Sequence, residues 1–340
     1  MKQISFPFPL SGHGRRLSFF LAAEEWAAAS LPDDEWFFAW VVDPTVICGR
    51  NQDIDAEIDT DYCVRNGIDI VRRRSGGGAV YADGGNIMTS YICPLHGRCY
   101  DEVFASYTRR MAGQLRAMGI DALPSGRNDL TVEGRKISGG AFYRSGDKAV
   151  AHSTMLYDTD TANMCRALTP SRAKLASKGV ASVEARIVTA RSLRPELSFD
   201  SFADGLCREL FDGSYTIRES DIRAIEQLEL AYRRPSWLRI GESAHHCGRK
   251  ALTRHFAGKG TLRARIATDS RGFITAADIS GDCMDFLPAD MLAGSLAGLH
   301  ADTASIAQAL ERLDATGSAS SPPTHELAAF LADAAALSGS

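Results

Sequence analysis

Short apolar runs broken by polar residues fill the first hundred positions. Phe37 to Val42, Thr45 to Cys48, Ile68 to Arg72, Ala79 to Tyr81 and Ile87 to Ile92 are rich in β-branched and aromatic side chains. Gly, Pro and Asp separate them, so each reads as a strand. Ser18 to Ser30 reads as an amphipathic helix, and Tyr100 to Met118 as a longer one that stops at Gly119. "DLTVEGRKISGGAFY" and "AVAHSTMLY" predict further strands, the first folded back at Glu133 and Gly134, an acidic–glycine pair suited to a tight turn. Helical character returns at Ser201 to Leu210 and Glu219 to Tyr232, and Pro235 then marks a boundary. Strands in "TLRARIATD" and "FITAADIS" follow, then alanine-rich helices and a loop from Thr316 to Thr324.

This order implies an α/β (α+β) chain in three parts: a larger domain over 1–235, a linker over 236–246 and a small C-terminal α/β domain over 247–340. That last segment has a size ordinary for an independent unit. Composition narrows the function. With 45% apolar and 24% charged residues the chain is an ordinary globular protein, and a net charge of −4 gives no global pull toward nucleic acid or anionic membrane. An acidic ligand must therefore be held by a local cluster, and Arg72 to Arg74 is the densest basic run. No apolar run approaches the length of a membrane span. "GRRLSFFLAA" faintly resembles an export signal, but Glu24 and Glu25 end it and no small-residue cleavage site follows before Trp26. The eight cysteines are scattered without a CxxC pair, and several sit in apolar runs, so a reducing cytoplasm is the expectation. "HHC" at His245 to Cys247 has no second ligand pair at zinc spacing.

Two segments carry chemistry. In "RRRSGGGAVYADGGN", Arg72 to Asn86, consecutive small residues leave backbone amides unshielded, and the arginines add fork-shaped donors. Such a run suits a phosphate or carboxylate; alone, it also fits a plain flexible turn. It matches neither the P-loop nor GxGxxG. In "SGRNDLTVEGRKISGGAFYR", one hairpin gathers Asn128, Asp129 and Lys136. Asp129 and Lys136 flank the turn seven residues apart, so both can project from one face. Oxygen ligands suit magnesium, and a lysine neutralises charge developing on a phosphoryl group. Alone, Lys136 also fits a solvated hairpin lysine.

These motifs, with "FFAWVVDPTVICGRNQD", "AHSTMLYDTD" and "KLASKGVASVEAR", resemble in order and spacing the bacterial lipoate–protein ligases of the biotin/lipoate ligase superfamily. The resemblance implies a catalytic domain around a mixed, mostly antiparallel sheet with a small accessory domain. It implies an ATP-dependent enzyme that adenylates lipoate, then passes the lipoyl group to a lysine of an acceptor domain. That acceptor would be a 2-oxoacid dehydrogenase E2 subunit or the glycine-cleavage H protein. By position, Lys136 matches the central catalytic lysine and also contacts lipoate. Arg73, Ser75, Gly76, Gly77, Gly78, Ala79, Val80, Tyr81 and Asn86 match the acyl-adenylate cradle. Asn128, Ser138, Gly139, His152 and Thr154 line the nucleotide side, and Lys174 to Ser182 form a covering loop. Asp129 is assigned Mg2+, and Trp40 the lipoate tail. The chain departs from the family at Ala82, where many members carry histidine, and at Ser153, where "HGT" becomes "HST".

Three rivals remain at this stage. An ATP-independent octanoyl or lipoyl transferase needs a cysteine near "GRND", and none lies there. A biotin ligase has a different glycine-rich signature. A non-catalytic lipoate-binding protein has no need of Lys136.

Overall fold

The computed structural model describes residues 1–10, 14–126, 128–169, 186–208, 210–240, 250–283, 288–313 and 322–337. The chain forms two compact units. The first comprises Met1–Ile47, Ile58–Val71 and Val80–Arg234; the second comprises Cys48–Glu57, Arg72–Ala79 and Pro235–Ser340. Two short segments from the N-terminal half thus group with the second unit, and one of them contains the glycine run.

In chain order the strands are β1 (Lys2–Ser5), β2 (Trp36–Trp40), β3 (Thr45–Cys48), β4 (Asp69–Arg72), β5 (Val80–Ala82), β6 (Asn86–Pro94) and β7 (Leu123–Ser125). They continue with β8 (Asp129–Val132), β9 (Arg135–Ser145), β10 (Lys148–Leu156), β11 (Gly213–Thr216), β12 (Leu252–Phe256), β13 (Gly260–Thr268) and β14 (Ile274–Gly281). An eight-stranded sheet runs β11-β1-β2-β6-β10-β9-β8-β7, and β4-β3-β5 form a smaller sheet. In the large sheet, β1 pairs in parallel with β2 and β11, and its other pairs are antiparallel. It is therefore mixed and mostly antiparallel, as the motifs implied.

Alternation fixes what each face of that sheet meets. On β10, His152 reaches Glu24 of helix Leu17–Ser30, while the next residue, Ser153, bonds Tyr107 of helix Tyr100–Ala117. The two helices thus cover opposite faces, and every residue of β6 and β10 is buried. Helix Leu17–Ser30 was expected to be amphipathic. It is instead buried almost all round, including Glu24, because sheet and aromatic side chains enclose it. Phe6, Phe8, Phe19, Phe20, Phe38 and Trp40 pack there with ring centroids between 4.7 and 6.4 Å. Such pairs contribute about 0.5–1.5 kcal/mol each beyond their buried area.

Glu133 (φ 50°) and Gly134 (φ 77°) both adopt the left-handed region, the geometry of a two-residue hairpin turn between β8 and β9. Helix Tyr100–Ala117 ends at Met118, and Gly119 (φ 76°) takes the left-handed stop. In the second unit, β12-β13-β14 form an antiparallel sheet. Leu262, Ala264 and Ile266 of β13 point into its core while Arg263 and Arg265 alternate outward. Helices Ala289–Leu296, Thr303–Leu313 and Thr324–Ala336 close that core with Leu292, Leu310, Phe330 and Leu331.

Candidate active site

Register collects most of the expected residues on one face of the large sheet. Trp40 lies opposite Met88, Ser90 opposite His152, and Thr154 opposite both Met88 and Gly139. Directly paired residues share a face, so Trp40, Asn86, Ser90, His152, Thr154 and Gly139 project together. Lys136 joins them through a β-bulge. Thr131 pairs with Lys136 but Leu130 pairs with Ser138, which leaves Ile137 as the extra residue. By strict alternation, residues 136 and 139 would point to opposite faces; the bulge brings them to the same one. A Cβ at Gly139 would lie 2.2 Å from Lys136 Nζ, so glycine is what lets the ammonium lie across this strand.

At the hairpin, Lys136 Nζ lies 2.7 Å from Asp129 Oδ1, and Arg186 Nη2 donates to Asp129 Oδ2 at 2.8 Å. Burial pushes the Asp129 carboxyl up, but Lys136 and Arg186 pull it further down, to a net value below the ordinary 3.8. The magnesium assignment at Asp129 does not fit this arrangement. Each carboxylate oxygen is already held by a cation, which offsets the charge a metal would draw on, and no cluster of metal-ligating side chains occurs among the described residues. Asn128 does not face outward either: its Nδ2 donates to Gly140 O and its carbonyl accepts from Gly140 N, both at 2.8 Å, which ties the hairpin to β9.

On this face, under helix Leu17–Ser30, lies a buried polar chain. Trp40 Nε1 donates to Ser90 Oγ at 2.9 Å, Ser90 Oγ donates to Glu24 Oε1 at 2.6 Å, and His152 Nδ1 sits 3.0–3.1 Å from both Glu24 oxygens. Glu24 is completely buried, and the hydroxyl and the ring stabilise it there. Sequence reasoning found Trp40 and His152 but missed Glu24 and Ser90. The signal was a pair of carboxylates, Glu24 and Glu25, inside an apolar helix, of which the buried one is costly unless paired. Asn86 is also fully buried, and its Nδ2 has no partner among the described residues. Ser153 lies on the opposite face, bonded at 2.8 Å to Thr89 and Tyr107, so its departure from the family does not alter this site. Ala82 is buried in β5 opposite Thr45. Ser138 and Tyr81 are buried, and Val80 is half-buried.

Within the second unit, the arginine–glycine run is built inward. Arg72 Nη1 donates to the carbonyls of Gly49, Arg50 and Gln52, and its Nε donates to Leu238 O at 2.7 Å. Arg73 Nε donates to Ser75 Oγ at 2.9 Å, and its Nη2 donates to Gly76 O and Gly78 O at 2.6 and 2.8 Å. Burial lowers the Arg73 guanidinium to about 10, which leaves it charged at neutral pH. Both forks were expected to face a phosphate; Arg72 holds the Gly49 to Gln52 segment, and Arg73 holds its own loop and fixes the shape of the cradle. Arg74 is the exposed member, over the Trp237 ring. Gly77 (φ 87°) needs its glycine, and Gly49 is needed too, since a Cβ there would meet Gly77 O at 2.0 Å. Lys174 and Ser182, with their covering loop, lie outside the described residues, as does "HHC".

Residues 17–211 match the lipoyl protein ligase A/B catalytic domain, and residues 249–331 match the bacterial lipoate protein ligase C-terminus. The chain is 30% identical to lipoate–protein ligase 1 of Staphylococcus aureus, over 86% of this chain and 90% of that one. It is 28% identical to a probable lipoate-protein ligase A of Mycoplasma pneumoniae, over 88% and 90%. P. falciparum LipL1, solved in complex with lipoate, shares the fold across 98% of this chain and 99% of its own, with TM-score 0.78 at 19% identity. A bipartite lipoate protein ligase of Thermoplasma acidophilum, solved as part of a lipoylation system with its E2 lipoyl domain, aligns over 70% of this chain and 95% of its own. Its TM-score is 0.61 at 25% identity. The chain belongs to the lipoyl protein ligase A/B family, in the form that carries the bacterial C-terminal domain.

Proposed function

We propose that this chain is an ATP-dependent lipoate–protein ligase that forms lipoyl-AMP and transfers the lipoyl group to a lysine of an acceptor domain. A carboxylate is a poor acyl donor. Its oxygen must attack the α-phosphorus of ATP, expelling pyrophosphate, and this step brings two anions together. Lys136 supports the reading best. Its ammonium projects from the same sheet face as Trp40, His152 and Thr154, which suits pairing with both the lipoate carboxylate and the α-phosphate. The acceptor amine then attacks the acyl carbon, and AMP departs.

Trp40 closes the apolar end for the lipoate tail. Asn86, whose buried Nδ2 has no partner among the described residues, receives the adenylate with Gly139 and Thr154, while Ser138, expected there too, pairs with Met155 and points to the opposite face. Arg73 shapes the Ser75 to Val80 segment for the phosphates from behind. No step is routed through Mg2+, and we give Asp129 no metal. Residues 1–235 act as the catalytic part and 247–340 as the accessory part, joined through 236–246. The acceptor is the lipoyl domain of a 2-oxoacid dehydrogenase E2 subunit or the glycine-cleavage H protein, met in the cytoplasm. No helix among the described residues is long and apolar enough to cross a membrane.

Three of the thiols are ill suited to an ATP-independent transferase. Burial pushes Cys48 and Cys207 up to about 11 and raises Cys63 as well, so these three are poor nucleophiles. Incubation with ATP, free lipoate and a purified lipoyl domain should add one lipoyl group to that domain's lysine by intact-mass analysis. Transfer that proceeds without ATP would overturn the ligase reading.

A further inference from the structure

Resting on the ligase reading, we infer that Arg186 is a positioning residue: it holds Asp129 so that Lys136 is released to the anionic substrates. Asp129 stands between two cations, one on each carboxylate oxygen, with Lys136 at 2.7 Å and Arg186 at 2.8 Å. Its side chain is only 17% exposed. The backbone fixes this triad from the same point. Ile187 bridges Lys136 in parallel, and Val188 N donates to Lys136 O at 2.9 Å, so Arg186 enters directly beside the lysine it influences.

Charge balance gives the arrangement its use. Two cations face one carboxylate here. When Lys136 turns toward a carboxylate and a phosphate, Asp129 loses one of its two cations. With Arg186 in place the carboxylate keeps a charge-assisted partner. Without it, Lys136 is the one cation left to the largely buried Asp129 carboxylate among the described residues, and withdrawing it strands an uncompensated charge. Every substrate would then compete with Asp129 for the ammonium.

Four proteins test this: wild type, Arg186→Gln, Asp129→Asn and the double variant. Two readouts are taken, lipoate-dependent pyrophosphate release and acetic-anhydride labelling of Lys136 at a fixed pH, quantified by peptide mass spectrometry. Arg186→Gln should lower kcat/KM by about 10- to 100-fold with intact folding, the scale of one charge-assisted bond. In the Asp129→Asn background the same substitution should cost less than about twofold, because the group it acts through is gone. Labelling of Lys136 should slow in Arg186→Gln and quicken in Asp129→Asn. An equal loss in both backgrounds, or unchanged labelling in Arg186→Gln, overturns the inference. Wild type that releases no pyrophosphate sinks the ligase reading instead, while the labelling still decides the role of Arg186.

Discussion

Gly139→Ala isolates Lys136 from the rest of the fold. A Cβ at this position would lie 2.2 Å from Lys136 Nζ and 2.3 Å from its Cε, against 3.4–4 Å for ordinary contact. The ammonium must therefore retreat by roughly 1 Å, and a misplacement of that size costs about 100-fold in rate. The obstructing atoms are the far end of a flexible side chain, and the next neighbour, Asp129 Oδ1, is already at 3.5 Å. Gly139 has no left-handed φ, so the backbone accepts alanine. Thermal unfolding should thus shift by less than about 4 °C, the equivalent of roughly 1 kcal/mol. The assay is lipoate-dependent pyrophosphate release under saturating ATP. A variant within about threefold of wild type would show that Lys136 does not depend on the space Gly139 leaves, since such an effect is far below that of a displaced catalytic group. A collapse in stability would show that the strand and not the lysine gave way.

Glu24→Ala removes the shared acceptor of Ser90 and His152 inside the sheet–helix layer, and should destabilise the protein by about 3–5 kcal/mol in urea unfolding. Gly49→Ala drives a Cβ against the Gly77 carbonyl, which is backbone and does not yield cheaply; a loss of about 1–3 kcal/mol is expected from the same measurement. Arg73→Lys keeps the charge but loses the fork that serves Ser75, Gly76 and Gly78, so the KM for ATP should rise about tenfold or more in initial-rate kinetics. Asp129 has a lowered folded value, so its contribution to stability is complete above 3.8 and is lost as pH falls below that. Acid titration followed by circular dichroism should show Asp129→Asn losing less stability than wild type between about pH 4 and pH 2.

Local pattern carried much of the fold. Thr45–Cys48 and helix Glu219–Tyr232 fall where periodicity put them, and the Glu133–Gly134 turn follows from two residues that tolerate positive φ. β1 and β11 did not show in the pattern. They are four residues each and pair in parallel across more than two hundred positions, a contact that no local period encodes. The bulge at Ile137 was equally silent, although it decides which face Lys136 and Gly139 share. Motifs located the arginine–glycine run but not its orientation. Whether a guanidinium meets a ligand or its own carbonyls depends on where Gly49, Arg50 and Gln52 fold, some twenty residues upstream. Glu24 was legible only as the residue that broke an apolar stretch. Its partners lie on two strands 66 and 128 positions away.

The most direct measurement is pyrophosphate release with ATP and free lipoate, in the absence of any acceptor protein, comparing wild type with Lys136→Ala. Release should depend on lipoate in the wild type and be lost in the variant while its thermal midpoint is retained. Lipoate-dependent release that survives in a folded Lys136→Ala protein would contradict the catalytic role of Lys136.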